Sequence, residues 1–161
     1  MNERPIDWRL LLEAPYAPTP EDAVSAALRF ASLREGELVY DLGCGDGRVL
    51  ITAARDFSAK AVGFEIQREL VEEARARIRN AGLDGVAVVL ERDFFKEDLS
   101  EAHMVFVYLT PNVTEALGKK LRRELKDGAR VVAYRYPVKG WTPHAIDSDS
   151  SGQVLFLYRL P

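Results

Sequence analysis

The segment Val39-Tyr40-Asp41-Leu42-Gly43-Cys44-Gly45-Asp46-Gly47-Arg48 sets three alternate glycines between carboxylates. Glycine lets the backbone turn sharply there, and it lets a ligand approach main-chain atoms with no Cβ in the way. A dinucleotide fingerprint reads G-x-G-x-x-G and places a pyrophosphate against a helix N-terminus. Here the order is G-x-G-x-G, and Asp41 and Asp46 would repel a pyrophosphate. The same carboxylates suit a cationic or zwitterionic ligand. S-adenosylmethionine, with a sulfonium, an amino group and no phosphate, is such a ligand.

Two further acids fall at matching places. Glu65 ends an apolar run eighteen residues after Gly47, where a carboxylate is placed to accept both ribose hydroxyls. Asp93 follows the next run, in Glu91-Arg92-Asp93-Phe94-Phe95, placed to accept from an adenine amino group with Phe94 against the ring. Ile66 beside Glu65, and Cys44 and Asp46 within the glycine loop, complete the expected cofactor-binding set. As a nucleophile Cys44 has little to recommend it; between two glycines it reads as a small filler.

The surrounding pattern supplies elements to hold these groups. Thr19-Pro20-Glu21-Asp22 reads as a helix start, with proline at the first helical position and acids in the first turn, and predicts a helix over 20–33. Strand and helix then alternate. Strands are predicted at 38–42, 61–65, 86–90, 104–109 and 130–136, with helices at 48–57, 67–81 and 110–126. Segments 144–148 and 153–160 pair as the last two strands. Near-continuous apolar strands alternating with helices imply a mostly parallel sheet covered on both faces, with ligands bound beyond the carboxyl ends of the strands. Residues 1–19, holding Pro5, Pro15 and Pro18 with Trp8 and Tyr16, read as an arm, and 20–161 as one domain.

Composition narrows the field. The 161 residues carry 22 Lys+Arg against 25 Asp+Glu, a net charge of −3, which argues against a protein built to grip nucleic acid backbones. One cysteine excludes an internal disulfide, and two separated histidines, His103 and His144, argue against a metal site. Apolar runs are too short to span a membrane, and the N-terminus has no signal-peptide core. The chain reads as cytoplasmic. The charged faces at Arg68–Arg79, with Glu73 and Arg77 four apart, and at Lys119–Arg123 read as solvated. Trp141 either lines the substrate entrance or seals the sheet.

The glycine loop, Glu65 and Asp93 together resemble the class I S-adenosylmethionine-dependent methyltransferases, α/β proteins with a Rossmann-like seven-stranded sheet whose last strand is antiparallel. Pro15-Tyr16-Ala17-Pro18-Thr19-Pro20, the loop through Arg48, and Lys139-Gly140-Trp141 are similar to the small archaeal protein-lysine methyltransferases. These are related to mitochondrial lysine methyltransferases acting on the adenine nucleotide translocase and on ATP synthase subunit c. The resemblance implies that Asp41, Gly43, Gly45 and Glu65 hold the methionine and ribose parts of S-adenosylmethionine. It implies that Asp93 and Phe94 hold adenine and that the Tyr16 segment closes over the site. The substrates it implies are proteins with exposed lysines, with no stable nucleic acid partner; the membrane association of the mitochondrial relatives is not carried over. The run Tyr108-Leu109-Thr110-Pro111 lacks the Asn/Asp-Pro-Pro-aromatic pattern of enzymes that methylate nucleic acid amino groups.

An amine acceptor must present a neutral lone pair. Tyrosines can hold it without a strong base, and Tyr16, Tyr108, Tyr134 and Tyr136 are candidates; Tyr16 and Tyr108 are the expected catalytic pair. The competing readings are a small-molecule or RNA methyltransferase, a non-catalytic cofactor-binding subunit and, more distantly, a dehydrogenase.

Overall fold

The computed structural model describes residues 17–161. Seven strands form one sheet: β1 (Leu38–Leu42), β2 (Lys60–Glu65), β3 (Ala87–Glu91), β4 (Met104–Val107), β5 (Arg130–Tyr134), β6 (Ala145–Ser148) and β7 (Val154–Arg159). Their order is β3-β2-β1-β4-β5-β7-β6. The neighbours from β3 to β5 are parallel, and β7 runs antiparallel to both β5 and β6. The chain starts at the centre with β1, works outward to β3, then crosses to β4. The reversal of direction falls between β1 and β4, where loops diverge and leave a crevice.

Strand residues alternate between two cores, as the pleat requires. Val39, Met104, Phe106, Val132, Leu155 and Leu157 pack on one face, against α1 (Glu21–Phe30), α2 (Arg48–Phe57) and α3 (Arg68–Asn80). Tyr40, Leu42, Val105, Val107, Val131 and Tyr158 pack on the other, against α4 (Pro111–Glu124). Helices therefore cover both faces, but three to one among the described residues. Trp141 helps to close the second face: it meets Tyr158 edge-on with ring centroids 5.6 Å apart, and the Arg122 guanidinium lies over it at 4.9 Å. It seals the sheet and is not part of the crevice.

Several boundaries differ from expectation. Helix α1 ends at Phe30, and Ser32 beyond it has a positive φ of 55°. Pro20 sits at the N-cap, its carbonyl accepting from Val24 N, instead of at the first helical position. Strand β4 stops at Val107 and β5 at Tyr134, two residues early in each case. Aromatic character at Tyr108 and Tyr136 suggested continued strand; both lie past the sheet, on the crevice side. The charged faces are solvent-exposed as expected except at two positions. Lys120 is buried and bonded to Glu124, and Arg77 turns away from Glu73 to a partner described below.

Candidate functional site

A cavity of about 320 Å³ opens at the carboxyl ends of the parallel strands. Its size is that of a pocket for a nucleoside-like ligand. Asp41, Gly43, Cys44, Gly45, Asp46, Glu65, Ile66, Asp93, Phe94 and Tyr108 all line it, so the structure gathers every expected site residue among those described. Tyr16, the other expected catalytic residue, lies outside the described residues with most of the 1–19 arm. Ala17, Pro18 and Thr19, the arm's described end, stand on the rim.

The glycine loop turns tightly. Gly43, Gly45 and Gly47 have φ of 82°, 54° and 84°. The N–H groups of Gly43 and Cys44 both donate to the Phe64 carbonyl, at 2.9 and 3.0 Å, which ties the loop to β2. Two glycines leave little space for a side chain. A Cβ on Gly47 would stand 3.1 Å from the Ala74 Cβ, a tight contact on top of the strain of its left-handed backbone. A Cβ on Gly63 would stand 2.5 Å from Cys44 Sγ and 2.7 Å from Leu50 Cδ1. Cys44 thus fills the notch left by Gly63. It is buried, and burial, with Asp41 and Glu65 nearby, pushes its thiol well above the usual range. That is the environment of an inert filler.

The acids divide into different tasks. Glu65 is buried; its Oε1 accepts from Gly45 N at 3.0 Å, and its Oε2 accepts from Ile66 N and Gln67 N at 2.9 and 3.0 Å. A carboxylate offers about four acceptor positions, so one remains for a ligand where two ribose hydroxyls were expected. Asp93 Oδ1 caps the short 3₁₀ turn Phe94–Lys96 by accepting from Phe95 N at 2.9 Å, with no bond assigned to Oδ2 among the described residues. Phe94 is buried, 4.8 Å from the Phe95 ring between centroids.

Asp46 departs most from the sequence reading. Arg48 binds it bidentately, with Nε at 3.1 Å from Oδ1 and Nη2 at 2.6 Å from Oδ2, and Arg77 of α3 donates to Oδ2 at 2.5 Å. Burial works against its charge, but the hydrogen bonds and charge of Arg48, joined by Arg77, hold the carboxyl below the ordinary range. Arg48 Nη1 also donates to the Thr19 carbonyl at 3.0 Å. Asp46 is thus the hub joining the glycine loop, α3 and the approach to α1, and its charge is already matched. Arg48 and Arg77 were missed as site residues because only the folded chain brings positions 46 and 77 together.

Asp41 is the opposite case. It is 3% exposed, lines the cavity and accepts no hydrogen bond among the described residues. Burial, then the neighbouring charges of Glu65 and Asp46, push its carboxyl well above the usual range. A buried acid without a cation is costly. A ligand bringing an ammonium or sulfonium removes that cost, so the donor set fits S-adenosylmethionine.

The far wall is aromatic. Tyr108 leans on Tyr134 and Tyr136, with centroids 5.0 and 6.3 Å apart, and its hydroxyl accepts a long bond of 3.5 Å from Arg135 Nη1. The Tyr134 hydroxyl faces away, donating to Asp149 Oδ2 at 3.0 Å; burial and that bond push its pKa up to about 12. Tyr134 is a buttress. Among the described residues no His, Cys, Asp or Glu group is arranged to hold a metal ion. His103 is at the opposite end of the sheet, its Nδ1 accepting from Leu38 N.

Comparison with known proteins decides the family. The model of the ANTKMT methyltransferase domain matches residues 41–145, from the glycine loop to β6. A protein-lysine N-methyltransferase of Saccharolobus islandicus (strain REY15A) is 45% identical over 148 residues, 89% of this chain and 92% of that one. The chain belongs to this methyltransferase family. Within the ANTKMT family it is also similar to the Mus musculus adenine nucleotide translocase lysine N-methyltransferase, 35% identical over 90% of this chain and 63% of that one. The chain thus spans nearly all of the archaeal relative but less than two thirds of the mouse one. A solved RNA methyltransferase of Salinibacter ruber, in complex with S-adenosyl-L-homocysteine, superposes with a TM-score of 0.87 at 36% identity, covering 90% of this chain and 94% of that one. S-adenosylmethionine is therefore the cofactor, and the dehydrogenase reading is overturned. No helix among the described residues is long and apolar enough to cross a membrane.

Proposed function

We propose that this ANTKMT-family chain methylates lysine side-chain amines of proteins, accepting exposed lysines on several targets. The observation that carries the proposal is the division of the cavity. Carboxylates and glycine backbone form one half, while tyrosines, with no carboxylate base among the described residues, form the half where an acceptor must enter. The relatives that share the family are lysine methyltransferases by name.

When bound, S-adenosylmethionine supplies an electrophilic methyl on a sulfonium. The protein's own residues do the rest by placing and drying the reactants. Asp41, freed of its proton, would balance the cation. Glu65 would take a ribose hydroxyl, and Asp93 Oδ2 with Phe94 would hold the adenine; Gly43, Cys44, Gly45, Asp46 and Ile66 would complete the cradle. A lysine with pKa about 10.4 costs about 4–5 kcal/mol to present neutral at pH 7. The Tyr108–Tyr136 wall disfavours the ammonium by excluding water, and the Tyr108 hydroxyl can accept an amine N–H to aim the lone pair. Tyr16 closing from the arm is part of the same reading. So is a cytoplasmic setting, in keeping with one buried, reduced thiol.

The test is tritiated-methyl transfer from S-adenosylmethionine to a cell extract. Label in protein bands that survives nuclease and disappears when lysines are acetylated supports the proposal. The RNA methyltransferase neighbour keeps a second reading in view, and label lost to ribonuclease would favour it. Tight cofactor binding without any label would favour a non-catalytic subunit. Tyr108→Phe and Tyr16→Ala both retaining full turnover would sink the roles given to those two tyrosines.

A further inference from the structure

One cation on the cavity wall has no carboxylate among the described residues. Arg48 is held by Asp46, and Arg92 lies 3.5 Å from Glu97. Arg135 is exposed and faces only aromatic groups: its guanidinium lies 5.3 Å from the Tyr136 centroid, and Nη1 reaches the Tyr108 hydroxyl. An arginine forms up to five N–H bonds in a planar fork shaped for a carboxylate. Here only Nη1 has a hydrogen-bond partner among the described residues.

The backbone keeps it so. Arg135 has a φ of +67°, a left-handed conformation that costs a residue with a Cβ about 1 kcal/mol. Its N–H donates to Val154 O at 2.8 Å, and Tyr136 N donates to Tyr134 O at 2.8 Å. These bonds pin the turn to β7 just as the strand ends. A regular strand would send residue 135 to the face opposite Tyr134; the left-handed residue breaks that alternation and turns the chain toward Tyr108.

Position argues for what it binds. The cofactor half of the cavity sits on the ends of β1, β2 and β3, whereas Arg135 follows β5. Two strand spacings, about 10 Å, separate β5 from β1. Arg135 therefore stands on the acceptor side, beside the tyrosine that faces the incoming amine. A lone guanidinium there helps to keep that amine neutral but repels its approach as an ammonium. An acidic side chain next to the lysine removes the repulsion and satisfies the fork.

We propose that Arg135 is a specificity-determining residue that takes the carboxylate of an Asp or Glu flanking the target lysine. The inference rests on the lysine-transfer reading. A single short-range contact of this kind also fits loose specificity, since it asks for one neighbour and not an extended epitope.

The experiment uses the full chain and peptides with one lysine, acetylated and amidated at their ends so that the flanking residue is the only carboxylate. Three peptides differ at that neighbour: Asp, Asn or Arg. For the wild type, kcat/KM on the Asp peptide should exceed that on the Asn peptide by about tenfold, mainly through KM. In Arg135→Gln that ratio should fall to within about twofold, and in Arg135→Glu the Arg peptide should become the preferred one. S-adenosylhomocysteine affinity, read by calorimetry, should stay within about twofold in both variants. Equal rates on all three peptides in the wild type, or an Asp preference that survives in Arg135→Gln, would overturn the proposal. A tenfold loss of S-adenosylhomocysteine affinity in Arg135→Gln would overturn it too, by assigning the guanidinium to the cofactor's own carboxylate. If the wild type transfers methyl to none of the peptides but labels RNA, the lysine reading fails and this inference with it.

Discussion

Replacing Asp46 by Asn keeps the shape of the hub and removes its charge. The carboxylate holds two guanidiniums and also accepts from Arg48 N at 3.2 Å; its side chain is 6% exposed, against 21% for Arg48 and 36% for Arg77. Breaking a buried pair from one side costs about 3–5 kcal/mol, while exposed pairs contribute under about 1 kcal/mol. Arg48 is near the first regime and Arg77 near the second, and the Asn oxygen still accepts one bond. We therefore expect a loss of about 3 kcal/mol. For a chain of this size that lowers Tm by roughly 6–12 °C. The assay is denaturant unfolding at pH 7 followed by circular dichroism, on wild type, Asp46→Asn, Arg77→Gln and the double variant. The two single losses should fail to add by about 1 kcal/mol. The pH dependence follows from the lowered carboxyl. The stabilisation is complete above the unfolded carboxylate range near pH 4, and it is lost as pH falls through the still lower folded value. Wild type and Asp46→Asn should thus converge at acid pH. An Asn variant within about 0.5 kcal/mol of wild type at pH 7, or strict additivity with Arg77→Gln, would refute the hub.

Three further outcomes are expected. Because burial, with Glu65 and Asp46 nearby, keeps Asp41 well above the usual carboxylate range, binding the S-adenosylmethionine cation should release a proton and tighten as pH rises; calorimetry in buffers of different ionisation enthalpy reads this, and Asp41→Asn should abolish the buffer dependence. Glu65→Gln replaces one of two accepting oxygens with an amide that faces backbone N–H groups, so cofactor affinity should drop by about 10²-fold in titration. Gly63→Ala forces a methyl against Cys44 and Leu50 and should destabilise by about 1–3 kcal/mol in a thermal melt.

The sheet was legible because its buried strands are short apolar runs, and the cofactor half was legible because three strand ends each finish in glycine or an acid. The limits have physical reasons. Asp46 and Asp41 look alike as letters, yet one is matched by arginines from positions 48 and 77 while the other is left for a ligand. Tyr108 and Tyr136 have strand-forming side chains, and only the left-handed turn at Arg135 and the end of β4 show that they leave the sheet. Arg77 has a good helical partner in Glu73, but a buried carboxylate across the fold outcompetes an exposed one. Trp141 was undecided because aromatic rings seal and line equally well; its indole fills the space above Gly118, where a Cβ would stand 2.8 Å from Trp141 Nε1, and that decides for sealing.

The central claim is methyl transfer to lysine, and peptide mass spectrometry tests it most directly. The purified chain is incubated with trideuteromethyl S-adenosylmethionine and a native protein extract, beside an Asp41→Asn control. The account predicts heavy methyl groups on lysine Nε of several proteins, enriched over the control. Heavy label confined to nucleosides or small molecules, with lysines unmodified, would contradict it.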